Sequence, residues 1–345
     1  MIETSENKVS LSITDSPSIG ENAFNAIRFL CCLIVIIGHC LDLSRTPFAY
    51  RSIIDMHTAV CVFFILSGFW VTKSFLFSRS LKQYAFKRIK RLLPMYYLTV
   101  VLFALICAFY SDLGIKAYFC SVHVWKYLFW NGIFLNFMCP SLPGVFDGAA
   151  INGALWTIKV EIGFYVVLPA LILLLKKIGV RKKQNLMLAG IYILSVLWNA
   201  LLAWYAPRLH IPSQLSYQLP GFMSYFVMGV FFLFNGETLI AKKNFFILPA
   251  VLVFFLHYRT RTEFLMPCSL ACIVMWAGSS LTFLKRIGQP LDYSYGMYLF
   301  HFPLIQILTS HKVFNNTFVW GGVSVIAISF FMAFIAEKYL QSKYR

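Results

Sequence analysis

The sequence is poor in charge, and above all in negative charge. Asp, Glu, Lys and Arg make up 12% of its 345 residues, and only 13 residues are acidic. A soluble domain of this size needs many more ionisable side chains, because these are the residues that a water-facing surface exposes most. By contrast, 59% of the residues are hydrophobic, and the mean hydropathy is +0.73. The composition therefore excludes an ordinary soluble protein and indicates that most of the surface faces lipid.

The sequence also lacks a Cys-x-x-Cys pair, although it contains nine cysteines. Such pairs are typical of zinc sites and redox-active sites, so we expect neither a metal nor redox chemistry. Most of the cysteines lie in apolar stretches, where a thiol acts as a small apolar filler. Cys120 and Cys139 lie in one predicted loop, and the sequence leaves open whether they form a disulfide.

Residues 1–22 are polar and show no basic-then-apolar pattern, so we expect no signal peptide among them. We predict that they form a cytoplasmic tail. The rest of the chain contains apolar runs of roughly the 20 residues that a membrane-spanning helix needs. Candidate spans lie at 24–41, 58–77, 92–111, 153–175, 185–204, 217–235, 245–257, 264–283, 293–310 and 317–336.

Two of the apolar stretches are atypical. The run at 245–257 is short for a span, and the stretch at 120–138 is interrupted by polar side chains, which is typical of an interfacial or re-entrant segment.

From the ten candidate spans we predict an all-α, polytopic integral membrane protein with about ten transmembrane helices. Its transmembrane domain covers residues 23–337, and residues 338–345 form a cytoplasmic C-terminal tail.

The basic residues predict the orientation in the membrane. A formal net charge of +17 often indicates nucleic-acid binding, but here the basic residues cluster in short loops between apolar runs. If both termini are cytoplasmic, the inside segments hold 19 Lys and Arg residues and the outside segments hold 8. This bias follows the positive-inside rule. We therefore predict a multi-pass protein with both termini in the cytoplasm and no nucleic-acid partner.

Several ionisable residues lie inside the predicted spans. Arg28 and His39 are eleven residues apart, about three helical turns, so they share one helix face and lie ~16 Å apart along the axis. Gly38 beside His39 would let another backbone or a ligand approach closely. Glu161 and His301 lie in two later spans. Because intramembrane ionisable groups usually face a cavity or each other, two imidazoles and a carboxylate indicate acid–base chemistry.

A less specific explanation stays open for these residues. A single His in a span is often only a packed side chain. Arg28 and Lys73 lie near the predicted cytoplasmic ends of their spans, where long side chains snorkel to the interface. Lys159 lies two residues from Glu161, and because the two point to roughly opposite helix faces they are poor partners for each other.

Five separated segments resemble those of one known family. They are the step from Arg28 to His39, Phe63-Phe-Ile-Leu-Ser-Gly-Phe69, Arg88-Ile-Lys-Arg-Leu-Leu-Pro-Met-Tyr-Tyr97, Leu155-Trp-Thr-Ile-Lys-Val-Glu-Ile-Gly-Phe-Tyr165 and Ser294-Tyr-Gly-Met-Tyr-Leu-Phe-His-Phe-Pro303. In this order they resemble the acyltransferase-3 family of bacterial membrane O-acyltransferases. By this resemblance, residues 23–337 form a transmembrane acyltransferase domain.

The resemblance implies a reaction and a location. Members of the family transfer an acyl group, most often acetyl from cytoplasmic acetyl-CoA, to a hydroxyl of a cell-surface glycan or a lipid-linked glycan. They lie in the bacterial inner membrane, so membrane lipids are further partners. Some members carry a soluble hydrolase-like domain after the membrane part. This chain ends at Arg345, so we expect the acceptor step to occur in the membrane domain itself.

The resemblance also gives individual residues a role that their chemistry allows. His39 is expected to be the catalytic base, and His301 is the rival candidate for that role. Arg28 is expected to bind the donor or to stabilise the charge that develops on the thioester oxygen. Glu161 is expected to orient a partner or to carry a proton.

Three further cations are candidates for binding the phosphates of CoA. Arg88 and Arg91 lie three residues apart on one side of a helix start, and Lys73 precedes them in the chain. Guanidinium groups suit phosphate oxygens, although a basic loop is also what the positive-inside rule requires. Ser67-Gly68 indicates close helix packing rather than a nucleophile, because no base is adjacent in the sequence.

A transporter or exporter is the main alternative to an enzyme. Such a protein would move a glycan or another solute through the same polar interior. Transporters often contain two inverted halves, and no convincing inverted repeat is visible in this sequence.

Overall fold

The computed structural model describes residues 22–45, 55–210, 212–260, 263–287, 293–315 and 317–342, and these ranges contain no β-strand. Twelve α-helices form in them. They are α1 Phe24–Leu43, α2 Met56–Leu76, α3 Leu81–Cys107, α4 Ile115–Cys120, α5 Val122–Gly132, α6 Trp156–Ile178, α7 Arg181–Leu209, α8 Leu219–Ala241, α9 Lys243–Thr260, α10 Met266–Ser280, α11 Ser294–Ser310 and α12 Phe318–Ser342.

Seven helices of the described ranges are long and apolar enough to cross a membrane, namely α1, α2, α3, α6, α7, α8 and α12. The predicted all-α, polytopic membrane protein is thus confirmed. Helices α9, α10 and α11 lie at the three remaining predicted spans but are not among these seven, so the count of about ten stays a prediction.

Both predicted tails lie partly outside the described residues. Residues 1–21 of the N-terminal tail and residues 343–345 of the C-terminal tail are not described. Helix α12 extends to Ser342, so the predicted C-terminal tail begins as a continuation of this helix. The cytoplasmic location of both tails stays a prediction.

Helix α3 begins well before its predicted span at 92–111. Its first residue is Leu81, and the hydroxyl of Ser80 caps it by accepting the N–H of Gln83 at 3.1 Å. The Gln83 side chain in turn accepts the N–H of Arg79 at 2.6 Å, which is a variant of the capping box. The whole basic cluster, including the residues before 92, is therefore helical.

The stretch at 120–138 forms no span. It contains the 11-residue helix α5, about half the length that a bilayer requires. Cys120 and Cys139 on either side are both free, which answers the question of a disulfide. Instead, the Cys139 thiol lies 3.5 Å from Nε2 of His123, and burial raises the pKa of this thiol.

Two compact units divide the chain. The first contains Phe64–Ser78 and Gly163–Leu284, and the second contains Phe24–Phe63, Arg79–Ile162 and Lys285–Arg345. Helices α2 and α6 each contribute residues to both units.

In the first unit, α2 and α8 meet at two glycines. A Cβ on Gly68 would overlap the carbonyl oxygen of Phe226, and a Cβ on Gly229 would overlap that of Ile65. Small residues permit this direct backbone contact between membrane helices. The interpretation of Ser67-Gly68 as a close-packing device is therefore confirmed for Gly68.

In the second unit, α11 is buried around most of its circumference. Twelve of its 17 residues are buried, which in a helix indicates a central position. Helix α12 contacts it closely, because a Cβ on Gly296 would lie 2.7 Å from Cβ of Ala333. Helix α3 contacts it through the hydroxyl of Tyr295, which donates to the carbonyl of Leu92 at 3.0 Å.

Helices α1 and α11 pack side by side in the same direction. The Cys32 thiol donates to the carbonyl of Ser294 at 3.3 Å, and the rings of His39 and His301 meet with centroids 5.3 Å apart. The two contacts are seven residues apart on both helices, about two turns. The same face of α1 therefore meets the same face of α11 at both contacts, as in a parallel helix pair.

The expectation for Gly38 was wrong in one respect. The close neighbour of this glycine is the side chain of Met56, which a Cβ would overlap. A flexible apolar side chain therefore takes the space that we expected another backbone or a ligand to occupy.

The contact between α2 and α8 predicts a difference between two glycines. Gly68→Ala should lower stability by ~1–3 kcal/mol or more, because the added methyl meets backbone that cannot rotate away. Gly190→Ala in α7 is the matched control, since a methyl group there would meet nothing within 4 Å beyond its own stretch of helix. The measurement is the midpoint of thermal unfolding of the purified protein in detergent. Equal midpoints for the two variants would contradict the close contact.

Candidate active site

Two imidazoles from different helices stack in the second unit. The rings of His39 and His301 are inclined by 25°, and the ring of Phe302 meets His39 edge-on at 5.0 Å. His301 is fully buried at 0% exposure, whereas His39 is partly exposed. The structure thus brings together the two histidines that the sequence placed in separate spans.

The hydrogen bonds of His301 define where its lone pair lies. Its Nδ1–H donates to the carbonyl of Tyr298 at 2.6 Å, which leaves the lone pair of the neutral ring on Nε2. This Nε2 is buried and has no hydrogen-bond partner in the described part of the chain.

Asp42 is a neighbour of the pair that sequence reasoning missed. It follows His39 by three residues on α1, and its carboxylate is close enough to act electrostatically on that imidazole. The spacing of three residues on one helix was the signal that would have revealed it.

A segment before and at the start of α6 supports α11 behind the imidazoles. Thr157 and Tyr298 share a hydrogen bond between their hydroxyls at 2.9 Å. The Nδ2 of Asn152 donates to the carbonyl of Leu299 at 2.8 Å. Further along α11, Nε2 of Gln306 donates to the carbonyls of Ala150 at 2.8 Å and Ile151 at 2.9 Å. These side chains join the two segments, and the sequence analysis singled out none of them.

Glu161 and Arg88 form a second group around Tyr84. Both charges act on the hydroxyl of Tyr84, a residue of α3 that is only 2% exposed. Glu161 lies one turn beyond Thr157 on the same face of α6. The second group is thus connected to the histidine pair through about one turn of helix.

The other predicted cations lie on three different helices. Arg28 is on α1 one turn before Cys32, which is level with the start of α11. Arg91 is exposed on α3. Lys73 belongs to the first unit, where its ammonium lies 5.6 Å from the ring centroid of Trp70.

Lys159 does not pair with Glu161, in agreement with their spacing in the sequence. Its ammonium lies 4.8 Å from the ring centroid of Phe137, a distance at which a cation is attracted to the aromatic face. As for metals, the described ranges contain no group of three His, Cys, Asp or Glu side chains that could hold an ion.

Comparison with known proteins gives one family and three relatives. The sequence profile of a family described as an acyltransferase domain matches residues 21–338. An "O-acetyl transferase" of Shigella phage Sf6 is 24% identical over 335 residues, which cover 92% of this chain and 95% of that protein. "Peptidoglycan O-acetyltransferase OatA" of Listeria monocytogenes is 24% identical, and the match covers 94% of this chain and 55% of that protein.

The third relative is matched over a shorter stretch. "Nodulation protein 10" of Rhizobium leguminosarum bv. viciae is 23% identical over 161 residues, which cover 44% of each chain. No solved structure matches the sequence.

Proposed function

This chain belongs to the acyltransferase-3 family and is a membrane O-acetyltransferase, and on that premise we propose that it moves acetyl from acetyl-CoA to a hydroxyl of a cell-surface glycan. The names of two relatives support the acetyl group, and the name of one supports a glycan acceptor. The observation that carries the proposal is the stacked pair of His39 and His301. This pair provides a base inside the membrane domain, with one imidazole partly exposed and the other fully buried.

His39 is the base in this proposal. The acceptor hydroxyl gives its proton to the imidazole while its oxygen attacks the acetyl carbonyl. A C–O bond forms, the C–S bond breaks, and the leaving sulfur of CoA takes the proton from the imidazolium. His39 suits this role better than His301 because it is partly exposed, whereas His301 is fully buried and bonded to the carbonyl of Tyr298.

His301 and Asp42 assist the base. The face of the neutral His301 ring stacked on His39 attracts the positive charge that forms there during the reaction, and the Asp42 carboxylate attracts it as well. Glu161, one turn beyond Thr157, keeps the role of a proton carrier or an orienting group.

The cations bind the donor. Arg28 is eleven residues before His39 on one continuous helix, so the two lie ~16 Å apart along the axis. That separation favours contact of Arg28 with the CoA part of the donor over contact with the thioester oxygen. Arg88 and Arg91 supply charge for the phosphates. Lys73, in the other unit, is the weakest of the proposed phosphate ligands.

The proposed location is the bacterial inner membrane, with both termini in the cytoplasm. The bias of 19 basic residues inside against 8 outside supports this orientation. In it, the N-terminal end of α1 with Arg28 faces cytoplasmic acetyl-CoA, and His39 lies towards the outer face. A glycan or lipid-linked glycan would therefore reach the histidine pair from outside.

The function is tested with labelled acetyl-CoA and the protein in lipid vesicles. Transfer of the label to an added glycan acceptor is the expected result, together with loss of acetyl esters from the surface polysaccharide of cells that lack the gene. Mass spectrometry of that polysaccharide identifies the sugar and the acyl group. Glycan retained inside the cell with unchanged acetylation would contradict acetyl transfer and favour the exporter.

The basic cluster of α3 predicts a change in donor binding. Arg88→Ala combined with Arg91→Ala should raise KM for acetyl-CoA without lowering kcat, because each lost phosphate contact costs ~1.5–3 kcal/mol. Lys90→Ala is the matched control, since it removes a charge from the same turn, where the Lys90 ammonium lies 4.4 Å from the ring centroid of Phe86. If the double variant and the control have the same KM for acetyl-CoA, the basic residues of α3 only set the orientation of the protein in the membrane.

The histidine pair predicts two unequal losses. His39→Ala should lower kcat by ~10²–10⁴-fold, the usual contribution of a positioned base. His301→Ala should cost less, because the base itself remains. The measurement is acceptor O-acetylation at equal membrane abundance of both proteins. The reverse order of the two losses would assign the base to His301.

A further inference from the structure

Helix α11 contains a proline two residues after His301. Because Pro303 has no backbone N–H, the carbonyl of Leu299, four residues earlier, loses its helical hydrogen-bond donor. A buried carbonyl without a donor costs free energy, and lipid offers no water in place of that donor. Leu299 is 0% exposed, so only another protein group can satisfy it.

Asn152 supplies the missing donor. Its Nδ2 donates to the Leu299 carbonyl at 2.8 Å, and its Oδ1 accepts the N–H of Ala154 at 3.1 Å. The second bond fixes which end of the amide faces α11, because the two ends differ in hydrogen-bonding character. Asn152 is 6% exposed, so water does not compete for either bond.

We propose that Asn152 is a positioning residue for acetyl transfer: through the carbonyl freed by Pro303 it fixes the turn of α11 that holds His301 against His39. The proposal rests on the function proposed above. Asn152 acts through the helix in this account, and neither substrate nor imidazole touches it.

The turn of α11 that contains Leu299 also orients the ring of His301. Leu299 is adjacent to Tyr298, whose carbonyl accepts the Nδ1–H of His301 at 2.6 Å. Two successive carbonyls of this turn are thus held by side chains. Movement of the Leu299 peptide would shift the carbonyl that orients the His301 ring.

The residue after Asn152 contacts Phe302, the aromatic neighbour of His39 on α11. A Cβ on Gly153 would lie 2.7 Å from Cζ of Phe302, so the backbone here lies directly against that ring. The same ring meets His39 edge-on at 5.0 Å. Both aromatic neighbours of His39 on α11 are therefore supported by the peptide around Asn152.

Other bonds keep α11 attached when Asn152 is changed. The hydroxyl contact of Thr157 with Tyr298 and the two bonds donated by Gln306 join the same segments. Loss of one bond among several is expected to displace the turn while the unit stays folded. A displacement of ~1 Å near reacting groups can cost 10²-fold in rate.

The first test compares two variants of Asn152 in the full-length protein. Asn152→Ala removes both bonds. Asn152→Asp keeps an oxygen that accepts from Ala154 and, while burial holds its carboxyl protonated, can also donate to Leu299. We expect Asn152→Ala to lower kcat by ~10–100-fold with KM for acetyl-CoA changed by less than about twofold, and Asn152→Asp to lower kcat less than Asn152→Ala does. Near-normal kcat in the Ala variant would overturn the proposal, because the turn of α11 would then hold without the bond.

The second test removes the cause of the orphan carbonyl. Pro303→Ala restores a backbone N–H that can bond to Leu299, so Asn152→Ala should cost less than about threefold in that background. The wild-type protein, the two single variants and the double variant are also compared by their midpoints of thermal unfolding, which do not depend on activity. Equal losses from Asn152→Ala in both backgrounds, in rate and in unfolding midpoint, would overturn the proposal.

Asn131 provides the matched control. It is another buried asparagine of the second unit, and its Nδ2 donates to the carbonyl of Tyr127 at 2.9 Å. Asn131→Ala should leave kcat unchanged, and Pro303→Ala should not modify its effect on unfolding. A wild-type protein without acetyl transfer would refute the proposed function, whereas transfer that is insensitive to Asn152 would refute only the positioning role.

Discussion

The parallel contact between α1 and α11 is the arrangement on which the site depends. An imidazole inside a membrane span needs a polar or aromatic neighbour, because lipid provides none. His39 and His301 meet this need with each other, and the Cys32–Ser294 contact two turns earlier holds the register. A shift of one residue between the helices would turn the rings to different faces, so this packing and the chemistry of the pair are inseparable.

Helix α11 needs support from several sides, because it carries the buried imidazole and a proline in the same turn. Prolines are tolerated in membrane helices where neighbouring groups satisfy the freed carbonyl. Asn152 does so here, and Thr157 and Gln306 fix the same segment above and below. The connection between α5 and α6 thus packs against α11 and supports the site, although we propose no catalytic residue in it.

The sequence predicted the all-helical, membrane-spanning character of the chain, but it did not predict which ionisable residues meet. Apolar length reveals spans because the bilayer sets that length, and the eleven-residue step put Arg28 and His39 on one helix face. It could not show that His39 meets His301, because 262 residues separate them and no local pattern encodes their pairing. Asn152 was missed for the same reason. Only the missing N–H of Pro303 hinted at a distant donor, and its identity depends on tertiary contact.

The length of α1 between Arg28 and His39 limits the kind of donor that both can contact. The two residues are ~16 Å apart along one uninterrupted helix, beyond the combined reach of their side chains. A small acyl donor could touch only one of them. A thioester whose phosphates lie far from its acetyl group can meet a guanidinium at one end and an imidazole at the other. The spacing therefore supports the acetyl-CoA donor that we propose, because its charged part would stay near Arg28 while its carbonyl reaches the histidine pair.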